Sequence, residues 1–181
     1  MKSKKLIFLI FGLVILAVPL FIIFKSEDIL ENGHRHKLRL QGMDPFDPFR
    51  GKFLRLRYDN DVVADPELKE GDNAYVTLEQ DSMGFSHFAF AHKNKPDHDN
   101  YLMAEIDWIY EGTATIKVDN LTKYFINEDK AKAGEEVLQD WALIESGALY
   151  VAIRVLDGEA RLEDIFVGDT PFLEYLAQDP N

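Results

Sequence analysis

Residues 6–24 run for nineteen positions without a charge, and nothing else in the chain restricts its folding so tightly. As a helix such a run extends about 28 Å, close to the thickness of a bilayer's hydrocarbon core. Gly12 and Pro19 lie inside it, which membrane helices tolerate where neighbours or local adjustments satisfy the backbone. A cleaved signal peptide would have a shorter apolar region, about 7–15 residues, and small residues at a cleavage site. This run instead ends Leu20-Phe21-Ile22-Ile23-Phe24-Lys25. An uncleaved single-pass anchor is therefore expected, with the lipid bilayer contacted through residues 6–24. Lys2, Lys4 and Lys5 precede the run, whereas Lys25 is followed by Glu27 and Asp28. That asymmetry places the N-terminus in the cytoplasm and the rest outside, as at a bacterial inner membrane with a periplasmic domain.

Charge narrows the choice of partners. Four of the 20 basic residues and none of the 32 acidic ones fall within residues 1–25, so residues 26–181 carry sixteen bases against all the acids. A domain with that balance repels nucleic acid and anionic surfaces, and no nucleic-acid partner is expected. Cysteine is absent, which removes disulfides, thiolate metal sites and a cysteine nucleophile.

The expected organisation is a cytoplasmic tip and anchor over residues 1–25, a tether over 26–35, and an extracytoplasmic β-rich domain over 36–181. Strand signals dominate that domain. Residues 36–40 alternate polar and apolar, residues 52–58 put Leu54, Leu56 and Tyr58 on one face, and residues 73–79 put Ala74, Val76 and Leu78 on one face. Residues 85–92 alternate without declaring which face is buried. Residues 101–110 and 113–118 form a hairpin about Glu111-Gly112, and residues 149–155 and 161–167 form another about Asp157-Gly158. Residues 121–126 read as a short strand or irregular segment. Residues 128–141 carry helix formers, with Gly134 weakening the pattern, and Pro171 opens a last short helix. The fold class is mainly β, an antiparallel barrel or sandwich with two short helices behind the N-terminal transmembrane helix.

The segment Arg50-Gly51-Lys52-Phe53-Leu54-Arg55-Leu56-Arg57-Tyr58 resembles the signature of the GDYXXLXY family of membrane-anchored bacterial proteins. Gly51, Leu56 and Tyr58 match at the family's spacing, Phe53 replaces its tyrosine and Lys52 its aspartate. The segment Lys123-Tyr124-Phe125-Ile126-Asn127-Glu128 is similar to a second family segment, and the resemblance extends over most of residues 36–168. It implies a membrane-anchored protein of uncharacterised activity. Family members are often encoded beside multi-pass membrane proteins, which implies a multi-pass membrane partner. The family supplies no catalytic residue, and the one acid of its motif is missing here.

Individual residues offer limited chemistry. Asp44 and Asp47 could act as an acid–base pair or hold a hard cation, yet each precedes a proline, a common way to begin a turn. Arg50 could pair with either acid or recognise an oxyanion. Phe46 and Phe49, each after a proline, are packed as plugs or exposed for recognition. His34 and His36 share a strand face and could form a metal pair with His87, His92 or His98, but HExxH spacing, a GxSxG elbow and a phosphate loop are all absent. Ser82 and Ser86 lack the context of a nucleophile. No catalytic or metal residue and no cofactor is assigned. The expected function is a non-enzymatic binding module, with Asp44, Phe46, Asp47, Phe49, Arg50, Tyr124 and Glu128 as its candidate interaction surface. The alternatives are an envelope hydrolase or metal-dependent enzyme using Asp44, Asp47 and histidines, and a small ligand inside the barrel.

Overall fold

The computed structural model describes residues 2–42 and 53–178, without the side chains of residues 2–7, 9, 10 and 119. The fold is mainly β and is built around a five-stranded barrel. Its strands are β3 (Asp61–Ala64), β4 (Asn73–Gln80), β5 (Ser86–His92), β6 (Tyr101–Tyr110) and β7 (Thr113–Lys117). They close in the order β3-β7-β6-β4-β5 and back to β3. All these pairings are antiparallel except β3 with β5, which is parallel.

A barrel of five strands is narrow enough for side chains to fill. Val62, Val76, Leu78, Leu102, Ile106 and Ile116 do so, each at most 2% exposed. The interior is packed rather than hollow, which removes the reading of a small ligand held inside it.

Two bulges break the alternation of the barrel strands. Between Phe88 and Phe90 the pairing with β4 skips Ala89, so the inward positions change from Ser86 and Phe88 to Ala91. In β6 the pairing with β7 skips Asp107, which turns both Trp108 and Tyr110 outward into a stacked pair. An extra residue in one strand reverses the side-chain parity beyond it. The β6–β7 hairpin turns at Glu111 and Gly112, both with positive φ, as a tight two-residue connection requires.

A second group of strands extends the sheet from β5. They are β1 (His34–Arg39), β9 (Leu149–Leu156), β10 (Glu159–Val167) and β11 (Thr170–Pro171), in the order β11-β10-β9-β1. β1 meets β5 in parallel at one residue pair, Leu38 with Ser86. The Asp157-Gly158 hairpin forms as expected, with φ of 51° and 81°, and Met103 N donates to Gly158 O at 2.7 Å, which ties the hairpin tip to β6. β9 is buried on both faces over Leu149–Ile153. On its outer side the three basic residues of β1 lie over three rings: Arg35 over Phe166, Lys37 over Tyr150 and Arg39 over Phe85. Glu163, the extra residue of a bulge in β10, accepts from Arg35 and Arg154 together.

A third layer covers the opposite side. The ribbon of β2 (Phe53–Arg55) and β8 (Lys123–Phe125) packs with η1 (Asp119–Leu121), α2 (Glu128–Leu138) and α4 (Phe172–Gln178). Gly134 fits helix α2 here for a steric reason: a Cβ would approach Leu54 Cδ1 to 2.9 Å and the Phe172 ring to 3.3 Å. The single helix expected over residues 128–141 is in fact two. Asp140 accepts from Ala142 N and Leu143 N and starts α3 (Trp141–Glu145), because a capping carboxylate satisfies the free amides of a new helix.

The N-terminal helix α1 (Lys2–Asn32) runs without interruption almost to β1. This corrects the tether expected over residues 26–35, since 26–32 are helical and His34 is already strand. Ile29 is buried to 2% exposure and Gly33 N donates to Ile29 O at 3.0 Å. A Cβ at Gly33 would lie 2.4 Å from Ile29 O and 3.1 Å from Val155 N, so only glycine permits this approach. Arg154 Nη1 donates to Gly33 O, and Lys25 pairs with Glu159. Among the described residues no helix is long and apolar enough to cross a membrane. Ile29→Ala should lower the unfolding free energy by about 2–4 kcal/mol, read by urea denaturation of a chain beginning at Ser26.

Candidate functional site

The motif strand owes its setting to alternation. Leu54, Leu56 and Tyr58 are buried at 1%, 3% and 7% exposure, which leaves Phe53, Arg55 and Arg57 on the opposite face. Regular pairing ends at Arg55, but the extended course continues because Leu56 N donates to Thr122 O and Arg57 O accepts from Gln41 N, both at 2.9 Å. Tyr58 Oη donates to Leu121 O at 2.6 Å, and burial pushes its phenol above the ordinary range. Leu56 and Tyr58 are thus packing residues, and the Tyr58 hydroxyl fixes the η1–β8 connection.

The outward face has a different chemistry. Phe53 stands opposite Phe125 in register, their rings 6.1 Å apart in an edge-to-face arrangement. Phe125 is 73% exposed, and Lys123 Nζ lies 5.4 Å from the Phe53 ring centroid. Arg55 stands opposite Lys123. Beside them opens a cleft of about 470 Å³, lined by Arg55, Arg57, Lys117 and Lys123, with Asp59 and Asp61 also on its wall. Asp61 Oδ1 accepts from Thr115 Oγ1 at 2.7 Å, and Asp59 Oδ1 accepts from Asp61 N at 3.4 Å.

Of the residues singled out in sequence, Asp44, Phe46, Asp47, Phe49, Arg50 and Gly51 lie outside the described residues. Tyr124 is half-buried: its hydroxyl donates to Asp164 Oδ1 at 2.8 Å and its ring meets Phe172 edge-on. Burial first, then the hydrogen bond and charge of Asp164, hold the Tyr124 phenol above its ordinary range. Glu128 is exposed in the first turn of α2, where its charge favours the helix N-terminus. Phe125, Lys123, Arg55 and Arg57 were missed as a group. The signal available was their alternation, cations and rings at every second position of both segments, but it becomes visible only once residues 123–125 are known to pair with 53–55.

The histidines do not converge. His36 is buried against Ser86, Nδ1 to Oγ 3.0 Å; His92 reaches Thr77, and His98 accepts from Asn100 N. Among the described residues no group of three His, Asp or Glu side chains could hold a metal ion. The Ser86–His36 pair resembles a nucleophile and its base, but Ser86 is 4% exposed and His36 9%, so no substrate reaches it. His36 Nε2 finds no partner among the described residues.

Two measurements follow from these contacts. Tyr58→Phe keeps the ring but orphans a carbonyl, and should cost about 1–3 kcal/mol in denaturant unfolding. Burial first, and the charge of His34 second, lower the His36 pKa below 6.5. Above that value both folded and unfolded chains hold neutral imidazole; below it only the unfolded chain takes up the proton, so stability falls as the pH drops. Relative to His36→Gln, the wild type should lose up to about 1.4 kcal/mol per pH unit below the ordinary histidine range, read from unfolding curves between neutral and mildly acidic pH.

The sequence was compared with known proteins. No curated protein and no solved structure matches it. The family model described as GDYXXLXY protein matches residues 15–165, which takes in the end of α1, the barrel, the motif strand and most of β10. On that match over most of its length, the chain belongs to the GDYXXLXY protein family.

Proposed function

We propose that this protein is a membrane-anchored, extracytoplasmic binding module whose partner is a multi-pass membrane protein. The observation that carries the reading is the apolar surface of α1. Residues 6–24 hold no charge, and from residue 13 to residue 24 every side chain is exposed. Apolar surface on that scale calls for lipid or protein to cover it. The lysines before the run and the acids soon after it favour a cytoplasmic N-terminus, and the bacterial inner membrane with a periplasmic domain fits that orientation.

The exposed Phe125 ring, edge-on to a half-buried Phe53, supports a binding role. Aromatic rings bury large areas at low entropic cost, and they recur among the residues that dominate protein interfaces. A multi-pass neighbour in the same membrane would be met by α1 and by this face of the domain.

The test is fractionation followed by capture. The full chain should stay with membranes through an alkaline carbonate wash, and protease added outside the inner membrane should digest the domain. Crosslinking and detergent purification should retrieve a multi-pass protein, with several-fold less recovered from Phe125→Ala. Recovery in the soluble fraction would overturn the anchor, and capture of no membrane protein would overturn the partner.

A further inference from the structure

The cations around the motif strand form an arrangement that an acidic protein would not retain for solubility. The whole chain carries a formal charge of −12, yet Arg55 and Arg57 share one face and Lys123 stands directly across from Arg55. Two strand positions span about 6.6 Å and cross-strand partners lie about 5 Å apart, close enough for like charges to destabilise the pair. Among the described residues the β2–β8 ribbon has three residue pairs with which to absorb that cost.

Elsewhere the protein neutralises such residues. Arg35 and Arg154 share Glu163, and Arg39 meets Asp81. Arg55 and Arg57 are exposed and meet no acid among the described residues. The acids on the cleft wall are turned to other tasks, Asp59 to the Asp61 amide and Asp61 to Thr115.

We propose that Arg55, Arg57 and Lys123, all on the lining of this cleft, form an oxyanion site that takes a phosphate group. Two guanidinium forks and an ammonium offer more donors than a carboxylate's two oxygens and single charge can satisfy. A phosphate monoester brings a charge near −2 and three acceptor oxygens. The cleft's 470 Å³ falls within the range of small-molecule sites, about 300–1,000 Å³, so the group arrives on a larger molecule. A soluble phosphorylated metabolite and the headgroup of phosphatidic acid, both phosphate monoesters, share this chemistry. The site stands independently of the membrane partner, and losing that partner would leave it intact.

The experiment is calorimetric titration of the full chain, in neutral detergent, with inorganic phosphate and with glycerol phosphate. Saturable binding is expected, weakened about tenfold or more in Arg55→Gln and in Arg57→Gln and unchanged in Lys132→Gln, an exposed lysine of α2 that does not line the cleft. Both arginines are exposed, so the variants should fold, and matching melting curves without ligand would establish that they do. Doping the micelles with phosphatidic acid separates the sources: lost glycerol phosphate binding assigns the site to a headgroup, and retained binding assigns it to a soluble ligand. No binding at millimolar phosphate, or equal binding by wild type and both arginine variants, would overturn the proposal.

Discussion

β5 has two edges and three neighbours. One edge is taken by β4; the other is shared, with β3 at Phe90 and Ala91 and β1 at Ser86. Backbone amides and carbonyls in a buried sheet must all find partners, so the barrel can open toward β1 only where β3 has ended. That division lets one continuous sheet be both a closed barrel and an extended wing. His36 reaches Ser86 at this junction, and its neutral form holds the joint.

The rest of the molecule is arranged about that division. The barrel is filled by its own side chains, which makes it a support rather than a container. The wing places three cations of β1 over three rings, and α1 docks against β9 and β10. The motif ribbon caps the other side, with Leu54 pressed against Gly134. Leu56 and Tyr58 serve packing, while Phe53, Arg55 and Arg57 carry whatever recognition the strand performs. The strand therefore combines packing and surface roles within six residues, and Arg55 and Arg57 fall at positions the family signature leaves open.

Much of the β framework was legible in the sequence because period-2 alternation reports directly on burial. Ala74, Val76 and Leu78 are buried as that pattern required, and Asp157-Gly158 turns as its residue types required. Legibility failed where geometry is non-local. Ala89 and Asp107 invert parity without any local mark, and the parallel pairings of β5 depart from a wholly antiparallel sheet. Gly134 weakened a helix pattern for a reason visible only from Leu54 and Phe172. Of the candidate surface, Tyr124 proved half-buried, and the exposed group at Arg55, Arg57, Lys123 and Phe125 required knowing that two short segments pair. The Asp-Pro segment falls outside the described residues.

The seamless passage from α1 through Gly33 into β1 fixes an angle as well as a distance. Successive helical residues are separated by about 100° of rotation, so Ile29 can occupy its buried position at only one azimuth of the helix. Turning α1 by a single residue would withdraw Ile29 from the sheet and pull Lys25 away from Glu159. The azimuth of α1 is consequently tied to β9 and β10, and a rotation of the helix would strain the contacts that hold it there.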